Sequence, residues 1–192
     1  SDGMANPAAI DQLVKQGPQA VRELLLDELN IAFDREPDGA LEMAREGGHS
    51  ERRLIHAKDL TGHAILSSVA ARVDATANIT GQMGAVAIDL LTLSHNTDEP
   101  ADRFAPLTCF GAYILDEKSG KPMAIVARKT ILATGGLGQV FQHSTNRQGS
   151  VGHGMAMAYR VGARLIDLEY VQFHPTVFYG NNAPSFLITE AL

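Results

Sequence analysis

The sequence predicts a mixed α/β protein, and three observations carry that expectation. Apolar residues recur at helical spacing in the first third. Continuous and alternating apolar runs replace them in the middle, and a glycine-flanked helical stretch then precedes another extended segment. Helix, strands, helix, strand is the order of a fold in which both element types share one core.

The elements follow in order. Asn6–Pro7 reads as an N-cap with proline at the first helical position, and Ile10, Leu13 and Val14 give one apolar face. Gly17–Pro18 is expected to end that helix and begin a second, to about Leu29, with Val21, Leu24, Leu25 and Leu29 inward. "DREPDGA" and the glycine-containing, aperiodic "REGGHSERRLIH" read as loops. Thr61 is expected to cap a third helix that reaches about Val73, with Ile65, Leu66, Val69 and Val73 on one side. "AVAIDLLTL", "LTCFGAYILD" and "KPMAIVARKTILATGG" read as strands, the last two joined by the turn "DEKSGK", with "NTDEPADRFAP" an exposed loop. A fourth helix is expected within Gly152 to Gly162, and "RLIDLEYVQF" is expected to be extended. No strand is followed by G-x-G-x-x-G, the phosphate-binding turn of a dinucleotide fold.

Composition narrows the function classes. The chain has 192 residues, 45% hydrophobic, enough to bury a core. Asp and Glu total 22 against 16 Lys and Arg, and no basic run suggests a nucleic-acid footprint. Cys109 is the single cysteine, so no intrachain disulfide is expected and a reducing, cytoplasmic setting is. No run approaches the roughly 18 apolar residues of a membrane helix. The first residues lack the order of a signal peptide. Neither a membrane nor a metal partner is expected.

Five stretches carry chemistry, each open to a plain structural reading. "TILATGG" is a tight turn after a strand, or a backbone that a flat or phosphorylated ligand can approach closely. "VGHGMAMAYR" uses its glycines for close helix packing, or to present free N–H groups, with His153 beside them. Glu46 sits in a solvated loop, or pairs with an ammonium group. Thr189–Glu190 is a helix start, or a carboxylate-binding pair. In "VQFHPTVFYG", His174 is a satisfied core histidine, or a ligand held rigid by the proline after it.

Taken together, "REGGHSERRLIHAKDLTGHAI", "ILATGGLGQVFQHSTN", "GHGMAMAYRVGARLIDLEYVQFHPT" and "FLITEAL" resemble the flavoprotein family of L-aspartate oxidase, succinate dehydrogenase and fumarate reductase. The resemblance runs from the first residues to Leu192. It implies an α/β fold, part of an FAD-binding Rossmann-like domain with a mixed sheet. That part lacks the N-terminal GxGxxG unit and runs into the start of a capping domain. Residues 1–180 are expected to be the partial FAD-binding domain and 181–192 the start of the cap. The family's ribose-binding acid is expected before Ser1 and its proton-transfer arginine beyond Leu192. The chain is therefore expected to be an internal slice of a longer enzyme, inactive by itself and without a catalytic residue of its own.

The resemblance also implies roles residue by residue. His174 hydrogen-bonds a substrate carboxylate, Thr189 and Glu190 match the family's substrate-binding "TE", and Glu46 matches the glutamate that orients an amino group. Val86 and Ala87 match the strand whose backbone holds the adenine of FAD. Ala133, Thr134, Gly135 and Gly136 match the turn near the cofactor. His153 stands where the family carries an aspartate that contacts the flavin, and an imidazole does not reproduce an acceptor-only carboxylate. Arg147 stands where a proline is common. "REGGHS" before "RRLIHAKDLTG" looks like the L-aspartate oxidase branch, which implies oxidation of L-aspartate to iminosuccinate for quinolinate and NAD synthesis. It implies quinolinate synthase as a partner, with fumarate a second dicarboxylate ligand. The alternatives are a fumarate reductase or succinate dehydrogenase flavoprotein subunit, and a non-catalytic degenerate fragment.

Overall fold

The computed structural model describes residues 3–58, 60–174, 176–178 and 186–187. The chain falls into two compact units that divide between Gly81 and Gln82.

In the first unit, helix α1 spans Pro7–Val21, and the Asn6 side chain accepts from the Ala8 N–H at 2.9 Å, as the N-cap reading requires. The break expected at Gly17–Pro18 does not occur. Pro18 lies inside α1, because its fixed φ is already helical and its missing N–H removes only one ladder bond. The winding then widens into a π-helix over Arg22–Glu28, where the Leu29 N–H reaches back five residues to Leu24 O at 3.0 Å. Ile31 and Phe33, 6% and 5% exposed, form the small core of this unit.

Strands β1 (Met43–Ala44) and β2 (Leu54–Ile55) pair antiparallel, with Met43 opposite Ile55. The stretch expected to be all loop therefore closes a short hairpin, because Leu54 and Ile55 find a ladder partner. Helix α2 spans Thr61–Asp74. Thr61 is its first residue rather than its cap. Leu60 holds the cap position without a side-chain bond, and the Thr61 hydroxyl accepts instead from the Ala57 N–H at 3.1 Å. Of the face expected inward, Ile65 and Val73 are half-buried, while Leu66 and Val69 are exposed.

The second unit is built on a three-stranded antiparallel sheet in the order β3-β4-β5: Ala85–Thr92, Cys109–Asp116 and Lys121–Val126. Between β3 and β4 lie helix α3 (Leu93–Asn96) and a 3-10 turn over Pro100–Phe104, which gives the expected loop some structure. The β4–β5 turn falls on "DEKSGK" as read, closed by Gly120 N–H to Asp116 O at 2.8 Å. Ser119 donates to the Asp116 carboxylate, and that bond holds the carboxyl below the usual carboxylate range. Gly111 is required in β4. Its φ is 150°, and a methyl there would overlap the Ile125 carbonyl of the neighbouring strand.

After β5 the chain forms a 3-10 turn (Gly138–Val140) and helix α4 (His153–Arg160), then strands β6 (Val177–Phe178) and β7 (Phe186–Leu187), paired antiparallel. Leu90, Leu91, Thr92 and Met157 are the buried centre. Buried Thr92 is satisfied, its N–H on Asn96 Oδ1 at 2.9 Å and its hydroxyl 2.7 Å from His95 Nδ1.

Two expected strands are not formed. "TILATGG" and "RLIDLEYVQF" carry no ladder, and Ile131 (88%) and Ile166 (64%) stand exposed. An apolar run supplies strand propensity, but a strand also needs a neighbour to pair with, and none of the described strands pairs with them. Every ladder among the described residues is antiparallel, so these residues do not make the expected mixed sheet. The capping segment expected over 181–192 lies outside the described residues, apart from Phe186–Leu187.

Candidate ligand sites in the second unit

Helix α4 is fixed at both ends. Its N-cap, Gly152, takes φ 77°, and the Gly152 N–H donates to Gly136 O at 3.1 Å. Two residues on, Gly154 is buried against Thr134. A methyl at Gly154 would overlap the Thr134 hydroxyl and approach its Cβ to 2.9 Å. The glycines at 152 and 154 thus seat the helix start on the Ala133–Gly136 turn. At the other end, Arg160 Nε donates to Asp89 Oδ2 at 2.9 Å and its guanidinium to Ile88 O at 3.1 Å, both on β3. Burial alone would raise the Asp89 carboxyl. The Arg160 hydrogen bond, the Leu90 N–H and the charges of Arg160 and His95 outweigh it and hold the group below its ordinary value.

This arrangement brings most of the expected cofactor residues together. Ala133, Thr134, Gly135 and Gly136 form an exposed turn, with Gly135 at φ 73°. His153 is exposed and opens α4 directly behind that turn. Val86 and Ala87 lie on β3, just before the residues that grip Arg160. A methyl on Gly135 or Gly136 would meet nothing within 4 Å, so the main chain there lies open to a ligand. The turn suits a group held through backbone atoms, as the FAD expectation requires.

His174 lines a separate cavity of about 510 Å³. Its walls come from two stretches, Gly138 to Asn146 and Val171 to Val177. Phe141 and Phe173 meet edge to face with centroids 5.8 Å apart. The Thr176 N–H donates to His174 Nδ1 at 3.3 Å, which places the ring proton on Nε2 and makes that nitrogen a donor. His174 is thus a cleft residue rather than one packed on all sides. The sequence reading missed its companions His143, Ser144, Thr145, Asn146 and Gln172. The polar run "HSTN" shortly after Val140 and Phe141 was the signal available for the first four.

Glu46 belongs to the first unit, exposed in the β1–β2 loop, where its carbonyl accepts from the His49 N–H at 3.1 Å. His49 Nδ1 is buried without a hydrogen-bond partner among the described residues. Nearby, His56 bridges two carboxylates, 3.0 Å from Asp34 and 3.9 Å from Glu42, and ties the hairpin to the segment before it. Thr189 and Glu190 lie outside the described residues. Among those residues no helix is long and apolar enough to cross a membrane, and no group of three or more His, Cys, Asp or Glu is placed to hold a metal ion.

A backbone turn open to a flat ligand, docked on a glycine-rich helix start, agrees with what the chain matches. Residues 1–192 match the model of the FAD binding domain family, and the chain belongs to that family, whose cofactor is FAD. Within it, the chain is similar over nearly its whole length to L-aspartate oxidases. It is 39% identical over 190 residues to L-aspartate oxidase 1 of Ralstonia nicotianae, covering 99% of this chain and 34% of that protein. It is 40% identical over 191 residues to the L-aspartate oxidase of Halobacterium salinarum, covering 100% and 35%. The chain thus spans about a third of the length of these relatives. Among solved structures, a mutant quinol fumarate reductase FrdA of E. coli superposes with TM-score 0.77 at 27% identity, over 95% of this chain and 28% of that one. Mycobacterium smegmatis Sdh1 does so with TM-score 0.68 at 29% identity, over 84% and 27%.

Proposed function

We propose that this chain is the FAD-binding part of a flavoenzyme that oxidises L-aspartate to iminosuccinate, the reaction that supplies quinolinate and NAD synthesis. One observation carries the reading. Among the described residues the His174 cavity offers imidazole, hydroxyl and amide groups, a lining that suits a small acid. Similarity to L-aspartate oxidases supports the choice of acid.

The backbone of Ala133–Gly136, with His153 and with Val86 and Ala87, would hold FAD, which when bound supplies a two-electron acceptor. His174 donates its Nε2–H to a substrate carboxylate, Thr189 and Glu190 bind at the same substrate, and Glu46 pairs with the ammonium group. None of these residues is assigned the proton transfer. Residues 1–180 are read as FAD-binding domain and 181–192 as the start of a cap. A cytoplasmic location and contact with quinolinate synthase belong to the same reading.

The likeness to quinol fumarate reductase favours a second reading, a flavoprotein that interconverts succinate and fumarate. Glu46 separates the two. In the full-length holoenzyme, Glu46→Gln removes the charge that meets the ammonium and should weaken aspartate use by about 1.5–3 kcal/mol, roughly 10- to 150-fold in kcat/KM. Fumarate, which has no amine, should suffer less. Equal losses on both substrates would leave Glu46 a structural residue and favour the second reading.

A further inference from the structure

We propose that His56 is a positioning residue for Glu46, and that it acts by clamping both feet of the β1–β2 hairpin to Asp34. The inference rests on reading Glu46 as the partner of the substrate ammonium, and it adds the residue that holds Glu46 in place. Glu46 sits in the loop between β1 and β2, strands of only two residues each. A two-stranded hairpin that short is marginal by itself, so whatever anchors its feet decides where its loop stands. The bonds of the loop, His49 N–H to Glu46 O, Arg53 to Ser50 Oγ and Arg52 to Met43 O, join hairpin residues to one another. They shape the loop and do not orient it.

The orienting contacts lie at the feet. Glu42 directly precedes β1, and His56 directly follows β2. The Asp34 N–H donates to His56 O at 2.8 Å and the Glu42 N–H donates to Asp34 O at 3.0 Å, so one residue carries a backbone bond to each foot. The side chains repeat the pattern. His56 Nδ1 stands 3.0 Å from Asp34 Oδ2, and because a carboxylate only accepts, the ring donates there. The same oxygen accepts from the Lys58 N–H at 2.6 Å. His56 Nε2 faces Glu42 Oε1 at 3.9 Å, beyond hydrogen-bond length, a weaker contact that gains attraction when the ring is protonated. The ring therefore spans the reference residue and the opposite foot. Losing its bond to Asp34 frees the feet to shift, and the loop carries that shift to Glu46. A charge pair with a bound ammonium tolerates little displacement.

The test uses the full-length holoenzyme, with kcat/KM measured for aspartate and for fumarate. His56→Phe keeps a ring without a donor and should lower the aspartate value about 5- to 10-fold, leaving fumarate within about twofold. His56→Asn, whose amide N–H stands near the Nδ1 position, should recover most of that loss. His56→Gln, whose amide reaches the Nε2 position instead, should behave as phenylalanine does, which keeps the test open where the phenylalanine variant does not fold. In a Glu46→Gln background the same substitutions should cost aspartate no more than about twofold further, because the charge they position is gone. If they weaken both substrates equally, if His56→Asn loses as much as His56→Gln, or if the loss is as large without Glu46, the inference is overturned while Glu46 keeps its role. If Glu46→Gln alone fails to separate aspartate from fumarate, both fall together.

Discussion

The two candidate ligand regions of the second unit are made of different materials. At Ala133–Gly136 the chain presents main chain, shaped by glycines and held by the start of α4, with no methyl-sized obstacle near Gly135 or Gly136. At the His174 cavity it presents side chains: two imidazoles, hydroxyls, amides and an aromatic wall. A backbone site is damaged by adding atoms and a side-chain site by removing them. The same protein should therefore answer small substitutions in opposite ways at the two places, and each prediction below tests that contrast.

The largest effect is expected in the cavity. His174→Ala removes the Nε2–H donor, a charge-assisted bond worth about 1.5–3 kcal/mol, and should cut kcat/KM of the full-length enzyme roughly 10- to 150-fold. Flavin content should stay unchanged, because the Ala133–Gly136 turn proposed to hold the flavin is untouched. His174→Asn, which keeps a donor, should recover part of the loss. If alanine instead lowers the melting temperature by several degrees and spares the kinetics, His174 is a packing residue and the contrast fails on that side.

A smaller effect is expected from adding a methyl at the turn. In Gly154→Ala, alanine favours the helix by about 1 kcal/mol, but its methyl overlaps the Thr134 side chain, a misfit of about 1–3 kcal/mol. The net loss of stability should lie between near zero and about 2 kcal/mol, accompanied by weaker flavin retention and an unchanged KM for substrate. Thr134→Ala in the same chain removes the hydroxyl and methyl that clash and should return part of both losses, read from a double-mutant cycle of melting and flavin content. A Gly154→Ala protein with normal flavin content would show that the helix start can lift from the turn without consequence.

How much of this was legible depended on how local the determining interactions were. Asn6 capping α1, the "DEKSGK" turn and the helix between Gly152 and Gly162 each follow from neighbours in sequence, and each was read correctly. Both flanking glycines of that helix take positive φ, 77° and 79°, which is why they bound it. Pro18 misled because a proline's fixed φ is already helical and its missing N–H removes only one ladder bond, so Gly17–Pro18 does not by itself end a helix. "TILATGG" misled because a strand is a property of two segments, and apolarity describes only one. Local context drew attention to His174, whereas His143 is unremarkable in sequence until the fold sets "HSTN" against Val171 to Val177. The pairing of His56 with Asp34 and Glu42 is invisible for the same reason.

The smallest effect concerns what joins the turn to the sheet. Arg160 clamps the far end of α4 to Asp89, so loosening that bond should reach the backbone site through the helix and leave the cavity alone. The pair is partly open to water, with Arg160 47% and Asp89 36% exposed, so Asp89→Asn should cost about 0.5–1 kcal/mol, a fall of about 1–4 °C in melting temperature. The pH dependence has a definite sign. Asp89 is held below its ordinary value of 3.8, so its contribution is fully present above that value and disappears as pH falls through the lower, folded one. Melting wild type and Asp89→Asn side by side should give a constant difference from neutrality down to about pH 5, shrinking toward zero in stronger acid. Added salt at pH 7 should reduce the same difference, because the pair is screened. A difference that persists in strong acid would mean that Asp89 holds α4 by shape and hydrogen bonding alone. The helix would then be seated by its glycines at one end and by packing at the other, with no electrostatic share.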